Sequence, residues 1–148
     1  MHVDDIQRAV GKECGVSGWA EVSQDMVDRF ADLTGDRQWI HVDADRAERE
    51  SPFGGTVAHG FLTTALLSRL VHDAVDLHSA AKLGVNYGFN RLRFPSPVKV
   101  GSRIRARVTA NAVRDVQGGV EIAWGVVVEI ENQAKPALAA EWLVRLYY

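Results

Sequence analysis

The sequence predicts an α+β fold in which helices pack on an antiparallel sheet, and two observations carry that reading. Helix-type apolar spacing belongs to the first half of the chain, where Met26, Val27, Phe30 and Leu33 recur three or four residues apart. The second half alternates instead, with Arg103, Arg105 and Arg107 interleaved with Ile104, Ala106 and Val108, and its apolar runs are punctuated by Gln117-Gly118-Gly119 and by Asn132 to Pro136. Helices early and a meander of long strands late favour an antiparallel sheet over parallel βαβ units.

In chain order, residues 3–12 are expected to form a short helix and Val16 to Val22 an extended segment carrying Trp19. Ser23 then offers a side-chain oxygen to the first free N–H groups of a helix that runs to Gly35, a residue suited to the positive φ at a helix end. Asp43 can cap a short turn in which Asp45, Arg46, Glu48, Arg49 and Glu50 read as a solvated face. After the break at Pro52-Phe53-Gly54-Gly55, a helix begins near His59-Gly60. Apolar residues lie on nearly all its sides, with no charge between His59 and Arg69, so it reads as buried, fading around His72 to Ala80. Strands follow at Val85 to Phe94, Ser102 to Ala110, Val120 to Ile130 and Leu138 to Tyr147.

A chain of 148 residues can bury one substantial core, so a single domain over 1–148 is expected. Its 47% hydrophobic and 24% charged residues are ordinary globular proportions, and a net charge of -2 gives no electrostatic case for nucleic acid or an anionic membrane as partner. Cys14 is the one cysteine, which excludes an intrachain disulfide and a cysteine-based zinc site. The opening Met1-His2-Val3-Asp4-Asp5 lacks the basic and apolar regions of a secretory signal, and no run approaches membrane-spanning length, so a cytoplasmic protein is expected.

The stretch from Phe30 to Ser68 holds the parts of an acid/base site. Asp36 follows Gly35 where the backbone turns, and His41 follows five residues later with Trp39 and Ile40 between them. A carboxylate held against such apolar walls would have its charged form disfavoured, which suits proton transfer near neutrality. Taken singly, Asp36 reads as a polar helix terminator and His41 as a satisfied core histidine; the pair in one loop is what suggests chemistry. Gly60 lies in the first turn of the apolar helix, where unpaired N–H groups could hold a carbonyl oxygen gaining negative charge. His41, Asp43 and His59 fit no tight metal-ligand spacing, so no metal is expected.

Asp36 and His41 as D-x-x-x-x-H followed by Val42-Asp43, then Ala58-His59-Gly60-Phe61 with Ser68 further on, resemble the hydratase motif of the MaoC-like dehydratases, the (R)-specific enoyl-CoA hydratase family. The likeness extends over Gly84-Val85-Asn86-Tyr87-Gly88 and Arg93-Phe94-Pro95-Ser96-Pro97-Val98, and with the later strands spans most of the chain. Gln38 and Trp39 stand where the family commonly has Asn-Pro, a version similar to nodulation-protein-N-like members. The resemblance implies a hot-dog fold, an antiparallel sheet wrapped around a long helix, and reversible hydration of a trans-2-enoyl thioester of coenzyme A with no cofactor. It further implies Asp36 and His41 as the catalytic pair, Gly60 as oxyanion donor, Ser68 as an orienting residue and Asn86 in a supporting role. A homodimer is expected, since open sheet edges invite pairing and hot-dog proteins join sheets edge to edge.

Two rival readings share the pocket: a hot-dog thioesterase, which would release free coenzyme A, and a non-catalytic acyl-thioester-binding protein. Arg103, Arg105 and Arg107 are expected to form the wet face of a strand, while they, Arg91, Arg93 or Lys99 are alternatives for meeting coenzyme A phosphates. The Trp39 ring, two residues from His41, is expected to narrow or cover an acyl tunnel.

Overall fold

Six strands form one antiparallel sheet: β1 (Glu13–Val16), β2 (Ala20–Glu21), β3 (Leu83–Arg93), β4 (Arg103–Val116), β5 (Gly119–Ile130) and β6 (Leu138–Tyr147). The computed structural model describes residues 1–77 and 81–148. The strand order is β1-β4-β5-β6-β3, with β2 also paired to β4. The β4–β5 hairpin closes with Val116 opposite Gly119, and Gly118 supplies the φ of 78° that so tight a turn requires. Asn132, at φ 62°, turns the chain between β5 and β6.

Alternation places Ile104, Ala106, Val108 and Ala110 on the inner face of β4, with Ile122, Trp124, Val126 and Val128 beside them on β5. The other face is charged and internally paired. Arg105 and Arg107 both bond Glu129, at 2.6 and 2.7 Å, Arg107 also reaches Glu13 at 2.9 Å, and Arg103 meets Glu131 at 3.1 Å. These guanidinium groups therefore neutralise neighbouring strands, as the wet-face reading expects, and are not held out toward a phosphate. Glu121, 3% exposed, bridges Arg114 and Arg145; burial alone would push its carboxyl up, but the two guanidinium hydrogen bonds outweigh it and hold it below the ordinary carboxylate value.

The helices are α1 (Val3–Arg8), α2 (Gln24–Thr34), α3 (Trp39–Val42), α4 (Ala44–Glu50), α5 (Gly60–Ala65) and α6 (Leu67–Ala74). The first is shorter than expected, because the chain turns at Gly11, φ 83°, whose N–H bonds the Ala110 carbonyl at 2.8 Å. Ser23 caps α2 by accepting from the Met26 N–H at 3.2 Å, and Gly35 ends it in the left-handed region at φ 76°.

The long buried helix is corrected in two respects. It is two short helices in series, joined through Leu66, whose N–H bonds the Leu62 carbonyl and whose carbonyl accepts from Leu70. Thr64 Oγ1 donates to the Gly60 carbonyl at 2.9 Å, a back-bond of the kind that bends helices just before the step. Nor is it buried all round: Leu62, Leu67, Leu70 and Val71 join the sheet's core, while Phe61 is 72% exposed and Ala65, Ser68 and Arg69 face outward. α6 ends at Ala74, and the part of the expected fade that falls on residues 78–80 lies outside the described residues. The sheet curled against this helical pair is the hot-dog arrangement. Among the described residues no helix is long and apolar enough to cross a membrane.

β3 is the edge strand beyond β6 and is exposed along nearly its whole length. Leu83, Val85, Tyr87 and Phe89 all present apolar surface there.

Candidate active site

His41 lies in α3, the single turn that follows Asp36, and is held from three sides. Its backbone N–H bonds the Gln38 carbonyl, and its own carbonyl accepts from Gln24 Nε2 of α2 at 2.8 Å. Gln24 Oε1 in turn accepts from the buried Thr56 hydroxyl at 2.6 Å. The ring is 7% exposed, and Nδ1 lies 2.6 Å from the Val57 carbonyl. A carbonyl can only accept, so Nδ1 is the donor, and in the neutral ring Nε2 is then the acceptor, the form a general base needs. The segment before α5 thus clamps His41 by a side-chain bond here and by the Val57 N–H to Ile40 carbonyl bond of 3.0 Å.

Asp36 is exposed, which corrects the expectation of a carboxylate walled in by apolar residues within this chain. The reason is geometric: the Trp39 ring packs on α4, under the Arg46 guanidinium at 4.3 Å, and is not laid against the carboxylate. One Asp36 carboxylate oxygen receives a long contact, 3.4 Å, from the Gln38 N–H. Asp43 caps α4 by accepting from the Arg46 N–H at 3.0 Å, a structural task.

The structure brings His59, not Asp43, to this pair. One carboxylate oxygen of Asp36 and one ring nitrogen each of His41 and His59 lie within 4.8 Å of one another. The two imidazoles are stacked, centroids 3.8 Å apart and planes 22° from parallel. Nitrogen lone pairs lie in the ring planes, so near-parallel stacked rings do not converge on one ion, and the cluster suits proton transfer better than metal coordination. His59 could have drawn notice in the sequence as an unusual residue at a helix N-cap position, where Ser, Thr, Asp or Asn would be usual.

Gly60 is the first residue of α5, directly after His59. A Cβ at Gly60 would meet the Phe94 ring at 3.1–3.2 Å, so the glycine permits close packing under an aromatic that is itself 45% exposed. Ser68 of α6 and Asn86 of β3 lie together further along the helical pair. Both line a cavity of about 440 Å³ between α6, β3 and the inner sheet face, walled by Val71, Trp124, Trp142 and Val144. A second cleft of about 250 Å³ shares Ser68, Asn86 and Trp142 and reaches Thr64, one turn from Gly60. Among the described residues Ser68 makes no hydrogen bond to the Asp36–His41 segment, so the orienting bond implied for it is not formed within this chain.

The family model described as "MaoC like domain" matches residues 5–132. The chain is 49% identical over 144 residues to 3-hydroxyacyl-thioester dehydratase Z of Mycobacterium tuberculosis, covering 97% of this chain and 94% of that protein. It is 46% identical to Nodulation protein N of Rhizobium meliloti, covering 97% and 89%. Among solved structures, the MaoC-like dehydratase from Rhodospirillum rubrum superposes with a TM-score of 0.80 at 22% identity, over 99% of this chain and 97% of that one. The (R)-hydratase from A. caviae involved in PHA biosynthesis superposes at 0.70 with 25% identity, over 92% and 98%. A family match over most of the chain, with 49% identity to a named dehydratase over nearly the full length of both proteins, identifies it by sequence, and the fold agrees: the chain belongs to the MaoC-like dehydratase family.

Proposed function

We propose that this protein is an (R)-specific hydratase of trans-2-enoyl-coenzyme A, equally a dehydratase of the corresponding 3-hydroxyacyl thioester. Its relatives' names support hydratase and dehydratase chemistry on acyl thioesters. The observation that carries the finer reading is the meeting of the Asp36 carboxylate with His41, whose Nδ1–H is committed to Val57 and whose Nε2 is left as an acceptor.

One water held between the two groups would give a proton to His41 Nε2 while its oxygen bonds the β-carbon. The electron pair of the double bond moves toward the thioester carbonyl, and the proton returns to the α-carbon as the enolate collapses. Dehydration is the reverse. Asp36 accepts the water's second hydrogen and so orients it, and the first-turn N–H groups at Gly60 steady the enolate-like oxygen. The acyl chain runs along α5 and α6 past Thr64 into the cavity bearing Ser68 and Asn86, where apolar side chains such as Val71, Trp124, Trp142 and Val144 stand beside polar surface. A second copy of the chain pairs along β3, covering the apolar residues of that edge.

The experiment is to follow loss of enoyl-thioester absorbance across a series of acyl lengths, with free thiol measured in parallel. Absorbance loss without thiol release is the expected result. Thiol release without formation of a 3-hydroxyacyl product would replace this reading with a thioesterase.

A further inference from the structure

We infer that His59 is a positioning residue for the Asp36–His41 pair, anchoring the acid's backbone with one ring edge and the base's ring plane with one ring face. The inference rests on the dyad reading above and deepens it. His59 is 3% exposed, and its Nε2 lies 2.9 Å from the Asp36 carbonyl oxygen. Because that oxygen can only accept, Nε2 is the donor, and in the neutral ring Nδ1 is then the acceptor. Nδ1 is buried without a hydrogen-bond partner among the described residues. The ring is stacked on His41 at 3.8 Å, and Phe30 of α2 tilts against it at 5.0 Å and 58°.

Burying a nitrogen without a partner is costly, and the side chain makes no capping bond to α5 in return. Leu or Phe could fill the same volume without an orphaned nitrogen, and Ser or Asp could cap the helix. None of these could donate to the Asp36 carbonyl while laying a flat face on His41. The anchor falls where the chain needs one. Asp36 follows the left-handed Gly35, lies on the surface, and otherwise has the 3.4 Å contact from Gln38 on its carboxylate. The same side chain therefore sets the separation and mutual orientation of both reacting groups, and displacements of about 1 Å at such groups cost as much as about a hundredfold in rate.

Three variants of the full chain test this. His59→Gln keeps a donor for the Asp36 carbonyl, His59→Phe keeps a flat ring, and His59→Leu keeps neither. We expect kcat for enoyl-coenzyme A hydration to fall by about tenfold or more in His59→Leu, with KM changed by no more than about twofold, because geometry and not the acyl cavity is disturbed. His59→Gln should recover most of that loss, and His59→Phe less. If His59→Gln is no better than His59→Leu, or if all three turn over at the wild-type rate, His59 is packing alone and the inference is overturned. Asp36→Asn measured alongside keeps the two readings apart, since full activity there would refute the dyad whatever His59 does. Proton–nitrogen correlation spectra of the wild-type histidine rings give a readout independent of turnover. The His59 proton should sit on Nε2 and the His41 proton on Nδ1, and a His59 proton found on Nδ1 would overturn the inference even if a variant failed to fold.

Discussion

Replacing His41 by Asn separates its chemistry from its structural bond. The Asn side-chain amide can occupy the place of Nδ1 and still donate to the Val57 carbonyl, now at 2.6 Å, so that buried acceptor is not left unpaired. Leaving it unpaired would cost about 1–3 kcal/mol, enough to confuse a catalytic loss with unfolding. What His41→Asn removes is Nε2, together with the ring stacked on His59. Losing a positioned general base should reduce kcat by at least about 10²-fold, which corresponds to about 2.7 kcal/mol of barrier. Asp36→Asn should cost a similar factor, since it retains shape and one acceptor oxygen but loses the charge. Two independent losses would multiply to about 10⁴, whereas groups that hold one water act as a unit and the double variant should lose much less than the product. The assay is single-turnover loss of enoyl-thioester absorbance for the wild type, both single variants and the double, with the product analysed on a chiral column. Multiplicative losses, near-normal turnover in His41→Asn, or an (S)-3-hydroxyacyl product would refute the shared-water reasoning.

Other outcomes follow from the same structure. Charges placed on the β3 edge, as in Val85→Lys with Phe89→Glu, should convert a dimer into a monomer in sedimentation velocity; a wild-type protein that sediments as a monomer at assay concentration would remove the dimer itself. Val144→Phe, which puts a ring into the 440 Å³ cavity, should shift acyl preference toward shorter chains, read as kcat/KM across the length series, and an unchanged preference would place the acyl chain elsewhere. Thermal melts should show stability falling as pH drops below the ordinary carboxylate range. Glu129, held low by hydrogen bonds from Arg105 and Arg107, and Glu121, held low by Arg145 and Arg114 against the opposing effect of burial, each stabilise the fold above their unfolded values and lose that contribution as pH falls through their depressed folded ones. Glu121→Gln should be less stable at neutral pH and less sensitive to acid; an acid profile identical to wild type would show that this bridge contributes nothing.

Much of the fold was legible in the sequence because it rests on local rules. The alternation of Arg103 to Val108 requires a strand with one wet face, and the structure pairs those arginines with Glu129, Glu131 and Glu13 across neighbouring strands. Ser23, Gly35 and Asp43 act at helix ends as their chemistry dictates. D-x-x-x-x-H placed Asp36 and His41 in one short segment, and that segment is one turn of chain in space. Which third residue joins them was not legible. His59 lies eighteen residues from His41 in the sequence, and tertiary hydrogen bonds, among them Val57–Ile40, Val57–His41 and Thr56–Gln24, fold that connection back so that the two rings stack. The exposure of Asp36 has a related cause: Trp39 is apolar, but its packing on Arg46 of α4 is a tertiary matter. Composition and spacing determined the strands, the caps and the nearness of Asp36 to His41, because each depends on residues within a few positions of one another. The stacked histidines, the cavity shared by Ser68 and Asn86, and the exposed edge of β3 were decided by tertiary structure alone, because each depends on which distant segments the sheet brings into contact.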